Sequence, residues 1–169
     1  MVVGLAFLFG VVSWTLVEYA LHRGLGHRAG AKNPFSVEHL AHHADVSYFA
    51  PTTKKAASLT VATAIVGPLA WLAIGWPGVA WWLGFLVMYI AYEVIHRRLH
   101  TAPGNNSYGR WARRHHLHHH YRRPKMNHGV TTPVWDIVFG TLDVPDIVRV
   151  PRRNALPWML DEHGELEQR

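Results

Sequence analysis

Apolar and polar positions are sharply segregated along this chain. Across residues 1–21 the only charged side chain is Glu18, and across residues 56–92 there is none. A helix over the first run is about 31 Å long at ~1.5 Å per residue, which matches a hydrocarbon core of ~30 Å. The second run is interrupted by Gly75-Trp76-Pro77-Gly78, a tight-turn sequence. The pattern predicts an all-α, integral-membrane helical bundle with about three transmembrane helices, over residues 1–21, 56–74 and 79–95. Residues 22–55 and 96–160 form a polar cap on these spans, so that 1–160 make one membrane-embedded unit. The end, DEHGELEQR (161–169), reads as a polar, disordered tail.

The first run lacks the basic leader and short apolar core of a secretory signal, and cleavage near Ala29 would discard His22 and His27. It is therefore expected to be an uncleaved span. The tight turn makes the second and third spans a hairpin whose outer ends emerge on one side. Every Lys and Arg lies in 22–55 or 96–169, so the positive-inside rule puts the cap and C-terminus in the cytoplasm and the N-terminus outside. A bacterial inner membrane is the expected location.

Composition narrows the chemistry. A net charge of +6 and a pI near 10.0 could suggest nucleic acid. Basic residues flanking spans are better explained by orientation and anionic headgroups, and no nucleic-acid partner is expected. With no cysteine, any metal must be held by nitrogen and oxygen. Thirteen of the 14 histidines fall in two stretches, His22 to His43 and His96 to His128. The topology places both on the cytoplasmic side.

The spacings suit ligands. In HLAHH, His39, His42 and His43 stand at i, i+3 and i+4, which puts three imidazoles on one helical face. His116, His119 and His120 repeat the arrangement, although His115, His118 and His119 satisfy the same spacing. His96 and His100, at i and i+4, share a face of the third span's cytoplasmic extension. His22 and His27 are five apart, about 140° around a regular helix, and converge only if the helix distorts near Gly24 and Gly26. Ten such nitrogens exceed what one metal uses, so a dinuclear site in the cap is expected. Glu18, Glu93 and Asp45 lie one turn from His22, His96 and His42. They either orient those rings by accepting the far N–H or, for Glu18 and Glu93, reach the headgroups or pair with Arg23 and Arg97.

HRGLGH, HLAHH, HRRLH and HLHHH appear in the order of the histidine boxes of the fatty acid hydroxylase superfamily, which the chain resembles from about Glu18 to Gly140. This integral-membrane, non-haem diiron family includes sterol desaturases and fatty acid 2-hydroxylases. Flanking residues are similar too: Glu18-Tyr19, Tyr92-Glu93, and NHGVTTPVWD from Asn127 to Asp136. The resemblance implies metal ligands His22, His27, His39, His42, His43, His96, His100, His116, His119 and His120. The later register of the last box is preferred because His120-Tyr121 matches the family's final histidine and aromatic. Behind these ligands, or lining the pocket, are expected Glu18, Asp45, Tyr92, Glu93, His115, Asn127, His128 and Asp136. His118 is a further candidate behind the ligands, or faces solvent; His163 is solvated in the tail.

The resemblance further implies two iron ions, with zinc able to substitute, and hydroxylation of a fatty acyl or related long-chain or isoprenoid C–H bond using O2 and two electrons. Desaturation and sterol or carotenoid modification belong to the same class and stay open. No cytochrome b5-like haem segment is present in the 169 residues, so a separate donor is expected, cytochrome b5-like or a ferredoxin with its reductase. Relatives commonly have four spans, so this chain is either truncated at its start or a three-span member. Two other classes compete. A metal transporter would place ligands mid-span, where none lies; a structural membrane protein would leave the shared helical faces a coincidence. Arg97, Arg98, Arg113, Arg114, Arg122 and Arg123 are candidates for a donor or headgroup surface. Trp71, Trp76, Trp81 and Trp82 suit an interfacial belt. Trp111, Tyr121, Trp135 and Trp158 line a substrate mouth or pack, and residues 134–160, punctuated by Pro145, Pro151 and Pro157, suggest a cap along the membrane surface.

Overall fold

The computed structural model describes residues 1–156 and 159–160; Pro157, Trp158, His163 and the 161–169 tail lie outside them. The chain folds as α1 (Val2–Ala20), a π-helical continuation (Leu21–Arg28), α2 (Pro34–Ala44), α3 (Thr52–Ile74), α4 (Trp76–Thr101), α5 (Ser107–Tyr121), α6 (Val134–Val138) and a 3₁₀ turn (Arg152–Asn154). Among the described residues three stretches are long and apolar enough to cross a membrane: Val2–Arg28, Thr52–Ile74 and Trp76–Thr101. Helix α3 buries none of its residues, and Val61, Ile65, Leu69 and Leu72 all point outward. Such a surface is stable against lipid and not against water.

Helix α1 packs along α4, and α3 folds back on α4. The α1–α4 seam holds Trp14, buried with its ring 5.2 Å from Phe85 and 4.9 Å from Tyr89. Further out the backbones approach so closely that a Cβ on Gly10 would overlap the Trp81 carbonyl, and one on Gly84 the Phe7 carbonyl. Small residues at a helix crossing are the usual way to pack spans where lipid supplies no hydrophobic drive.

The hairpin turn is tighter than the four residues expected from sequence. Gly75 alone breaks the helix, with φ 65°, and Trp76 already begins α4. Pro77 sits in the first turn, where its missing N–H costs nothing. The aromatic belt is also only half present: Trp71 and Trp76 are exposed, whereas Trp82 is buried on Phe85 and the Trp81 indole donates to Ser13 Oγ at 3.1 Å.

In the cap, α2 and α5 start on matching caps. Asn33 Oδ1 accepts from Ser36 N at 2.8 Å with Pro34 following, and Asn106 Oδ1 accepts from Gly109 N at 2.7 Å. Trp111 belongs to packing: it lies against the buried cluster Leu99, Ala112 and Val130. The Trp135 indole donates to Thr15 Oγ1 at 2.9 Å, which fixes α6 beside α1, with Val134, Ile137, Val138 and Phe139 turned outward. Three of the six candidate surface arginines have internal partners. Arg97 covers the Phe49 ring, Arg113 donates to the Ala102 carbonyl and Arg123 pairs with Asp143.

Candidate metal centre

The cap gathers ten imidazoles into two adjacent groups of five. One holds His22, His27, His39, His43 and His119; the other holds His42, His96, His100, His116 and His120, with candidate donor atoms in each group within 4.8 Å of one another. These are the ten histidines singled out in the boxes. The two last-box registers separate in space: His116, His119 and His120 join the groups, while His115 Nε2 turns to Asp136 (3.3 Å) and His118 Nε2 to Asp143 (2.8 Å).

Local structure explains how each ring arrives. The predicted distortion between His22 and His27 is a π-helical turn, in which residues five apart are bonded neighbours; Ala29 N, for example, donates to Gly24 O at 3.1 Å. It brings the two ring centroids to 5.2 Å. Gly26 is needed because a Cβ there would press on the His39 ring at 2.9 Å. Each i, i+3, i+4 triplet divides between the groups. His39 and His43 enter the first and His42 the second, whereas His116 and His120 enter the second and His119 the first. The rings of His43 and His120 stack at 4.0 Å between the groups.

The spacing within each group fits metal coordination. Nε2–Nε2 separations are 2.9 Å for His27–His119 and His27–His39, 3.2 Å for His43–His119, 2.9 Å for His100–His116, and 3.1 Å for His42–His100 and His116–His120. A metal with bonds of ~2.0–2.1 Å sets donors at right angles about 3 Å apart. Three rings have their tautomers fixed by carbonyls, which accept only from an N–H. His22 Nδ1 donates to His128 O (2.6 Å), His119 Nδ1 to Met126 O (2.6 Å) and His42 Nδ1 to Tyr48 O (2.7 Å). Their Nε2 atoms therefore present lone pairs, and His22 Nε2 is buried with no hydrogen-bond partner. Opposed lone pairs of this kind call for a cation between them.

The carboxylates expected to hold the rings do other work. Glu18 is buried, and its Oε1 accepts from Val130 N (2.5 Å) and Thr131 N (3.0 Å), its Oε2 from Thr131 Oγ1 (2.8 Å). Glu93 pairs with Lys55 at 2.5 Å, and Asp45 accepts from Ser47 N and Oγ. Backbone carbonyls stand where Glu18 and Asp45 were expected, that of His128 on His22 and that of Tyr48 on His42. Tyr92 stacks on His96, centroids 5.6 Å apart. His128 lies against the first group, 5.4 Å from the His22 ring and 5.2 Å from His119. Asn127, at φ 57°, joins His115 O and Asp143 rather than a pocket. Tyr48, Met126, Thr141 and Asp143 carry no motif; the carbonyls of Tyr48 and Met126 accept through atoms that every residue has.

Burial first, and then the neighbouring imidazoles, push His39 down to about 2 and His43 to about 3. Burial also holds His42 below, and His116, His119 and His120 well below, the ordinary value. Burial alone would raise Asp136, but hydrogen bonds from His115, Thr141, Gly129 and His128 together hold it below the usual carboxylate range. Neutral imidazole is the metal-binding form. Because folded values lie under the unfolded value near 6.5, stability is full above that pH and is lost on acidification as the unfolded chain takes up protons the folded rings refuse. The melting temperature of the metal-stripped protein in detergent is expected to be flat between about pH 7 and 8 and to fall steadily below about 6.5. Melting that does not change down to about pH 4 would contradict these neutral, buried rings.

Comparison with known proteins agrees with this geometry. The fatty acid hydroxylase family model matches residues 7–141. The chain is 32% identical over 148 residues to a dihydroceramide fatty acyl 2-hydroxylase of Arabidopsis thaliana, covering 83% of this chain and 61% of that one. It is 33% identical over 144 residues to the ceramide very long chain fatty acid hydroxylase of Schizosaccharomyces pombe, covering 80% and 41%. It thus spans less than two thirds of the length of either relative. Among solved structures, full-length scs7p, with only its hydroxylase domain visible, superposes with a TM-score of 0.68 at 29% identity, covering 88% of this chain and 59% of that one. By sequence and by architecture, the chain belongs to the fatty acid hydroxylase family.

Proposed function

We propose that this protein hydroxylates the fatty acyl chain of a membrane lipid, the substrate class named for its relatives, with two iron ions held by the two groups of five imidazoles. The observation that carries the reading is the pair of groups with donor edges near 3 Å. Five nitrogens exceed the four of a structural zinc site and leave a six-coordinate ion one free position, and imidazole suits iron. When bound, the metal pair supplies the O2 activation and, with two electrons from a separate cytochrome b5-like or ferredoxin-type donor, the C–H oxidation.

The chain's own residues supply orientation and access. The carbonyls of Tyr48, Met126 and His128 lock three rings, and Tyr92 holds His96 from behind. An open groove of about 310 Å³ between α3 and α4 is lined by the apolar Leu59, Ile90 and Val94 and by the charged Lys55, Glu93 and Arg97. Its apolar residues suit an acyl chain and its charged ones a polar head, with Glu93 one helical turn before His96. In this reading the histidine cap lies in the cytoplasm and the N-terminus outside, which the distribution of Lys and Arg supports.

The test is lipid analysis of cells that express the chain. Hydrolysed lipid extracts are expected to contain 2-hydroxy fatty acids by mass spectrometry, absent from cells expressing His100→Ala. Identical extracts from the two, with the wild-type chain present in the membrane and metal-loaded, would overturn the assignment.

A further inference from the structure

The segment from Met126 to Thr131 passes under α1 as a buried strap, and its partners are unusual in number. Two of its carbonyls, those of Met126 and His128, accept the Nδ1–H of His119 and His22, both at 2.6 Å. Both rings belong to the same group of five. The strap is held from one side by Asp136, whose Oδ1 accepts from His128 N (2.8 Å) and Thr141 Oγ1 (2.7 Å), and whose Oδ2 accepts from Gly129 N (2.8 Å) and His115 Nε2 (3.3 Å). From the other side it is held by Glu18 through Val130 and Thr131. Asn127 ties its start to Thr141 O through its own N–H (2.8 Å) and to Asp143 through its side chain (2.7 Å to both N and O). Gly129 is required, since a Cβ there would overlap the Thr132 carbonyl and meet Asp136 Oδ2 at 2.9 Å. Among the described residues no ring of the other group hydrogen-bonds to this strap, which meets that side only through Val130 packed on Leu99 and Ala112. That group's one carbonyl-locked ring, His42, leans on Tyr48 in the α2–α3 connection.

We infer that Asp136 is a positioning residue for one of the two metal sites only: by fixing the strap it orients His22 and His119, and so sets metal affinity at the group His22, His27, His39, His43 and His119. The inference rests on the two-metal reading above. Two buried carboxylates and a buried amide are spent on aiming two carbonyls, and an outer partner of a ligating imidazole is commonly worth ~10–100-fold in metal affinity. In Asp136→Asn one acceptor oxygen becomes an N–H2 facing donors. The strap then shifts and takes both rings out of register, while the second group keeps its own supports.

The test is metal content per chain of detergent-purified protein without a histidine tag, with melting followed in parallel. Wild type is expected to hold about two metals and Asp136→Asn about one. Adding His119→Ala to Asp136→Asn should remove nothing further, and adding His100→Ala should remove the remaining metal. Retention of both metals by Asp136→Asn, or equal loss from both groups, would overturn the inference. Fewer than two metals in the wild type would instead overturn the two-metal reading beneath it. Should Asp136→Asn fail to fold, the isosteric Thr141→Val carries the test. One of two phases of metal release to EDTA should accelerate about tenfold, and equal acceleration of both, or of neither, would overturn it.

Discussion

Replacing His119 with alanine is expected to end hydroxylation, with turnover falling by more than the ~100-fold upper range for losing an outer partner of a ligand. His119 is fully buried, and its Nε2 lies 2.9 Å from His27 and 3.2 Å from His43, at the heart of the first group. His118 and His115 flank it in sequence, but their rings are committed to Asp143 and Asp136 on other sides of α5. The stability cost is smaller: the Met126 carbonyl loses its donor, at about 1–3 kcal/mol. The variant should therefore still insert and fold. Unchanged turnover in His119→Ala, measured on lipid extracts normalised to protein, would contradict the assignment of this group.

The second large effect is expected far from the histidines. Valine at Gly10 or Gly84 would drive side-chain atoms into the carbonyls of Trp81 and Phe7, and neither backbone can yield within a regular helix. Overpacking typically costs about 1–3 kcal/mol, and a collision with main chain belongs at or above the top of that range. Because α1 leads into His22 and His27 and α4 into His96 and His100, splaying the two helices also separates ligands of the two groups. Gly10→Val and Gly84→Val are expected to lower the melting temperature in detergent and to lose metal together. Gly4, with nothing near its Cβ position, should accept alanine with no effect. A Gly84→Val protein as stable and as metal-rich as wild type would show that the α1–α4 crossing is looser than described.

The spans and the faces that carry the histidines were legible in the sequence for separate physical reasons, whereas the register of the last box, where His115, His118 and His119 fit the same spacing, came from the family resemblance. Apolar runs of membrane length with at most one charge have few alternative fates, and imidazoles at i, i+3 and i+4 share a side of a helix wherever the helix goes. Even the five-residue spacing of His22 and His27 carried information, since it demanded the wider turn that Leu21–Arg28 adopts. The roles of the carboxylates were not legible. Glu18 stands one turn before His22, yet it serves Val130 and Thr131, more than 110 residues away in sequence. Helical periodicity reports neighbours within an element, whereas these partners meet only when the strap closes on α1. Carbonyls that lock ring tautomers leave no trace in residue type at all. Gly10 and Gly84 were visible as small residues within spans, but which backbone each approaches is fixed by the crossing of α1 and α4.

The account stands on two metals in two groups of five imidazoles, and elemental analysis of the tag-free protein, purified in detergent from iron-supplemented cells, tests it most directly. About two metals per chain, predominantly iron, is the predicted result. One metal or none in folded protein would mean that the ten rings do not form two sites, and would contradict it.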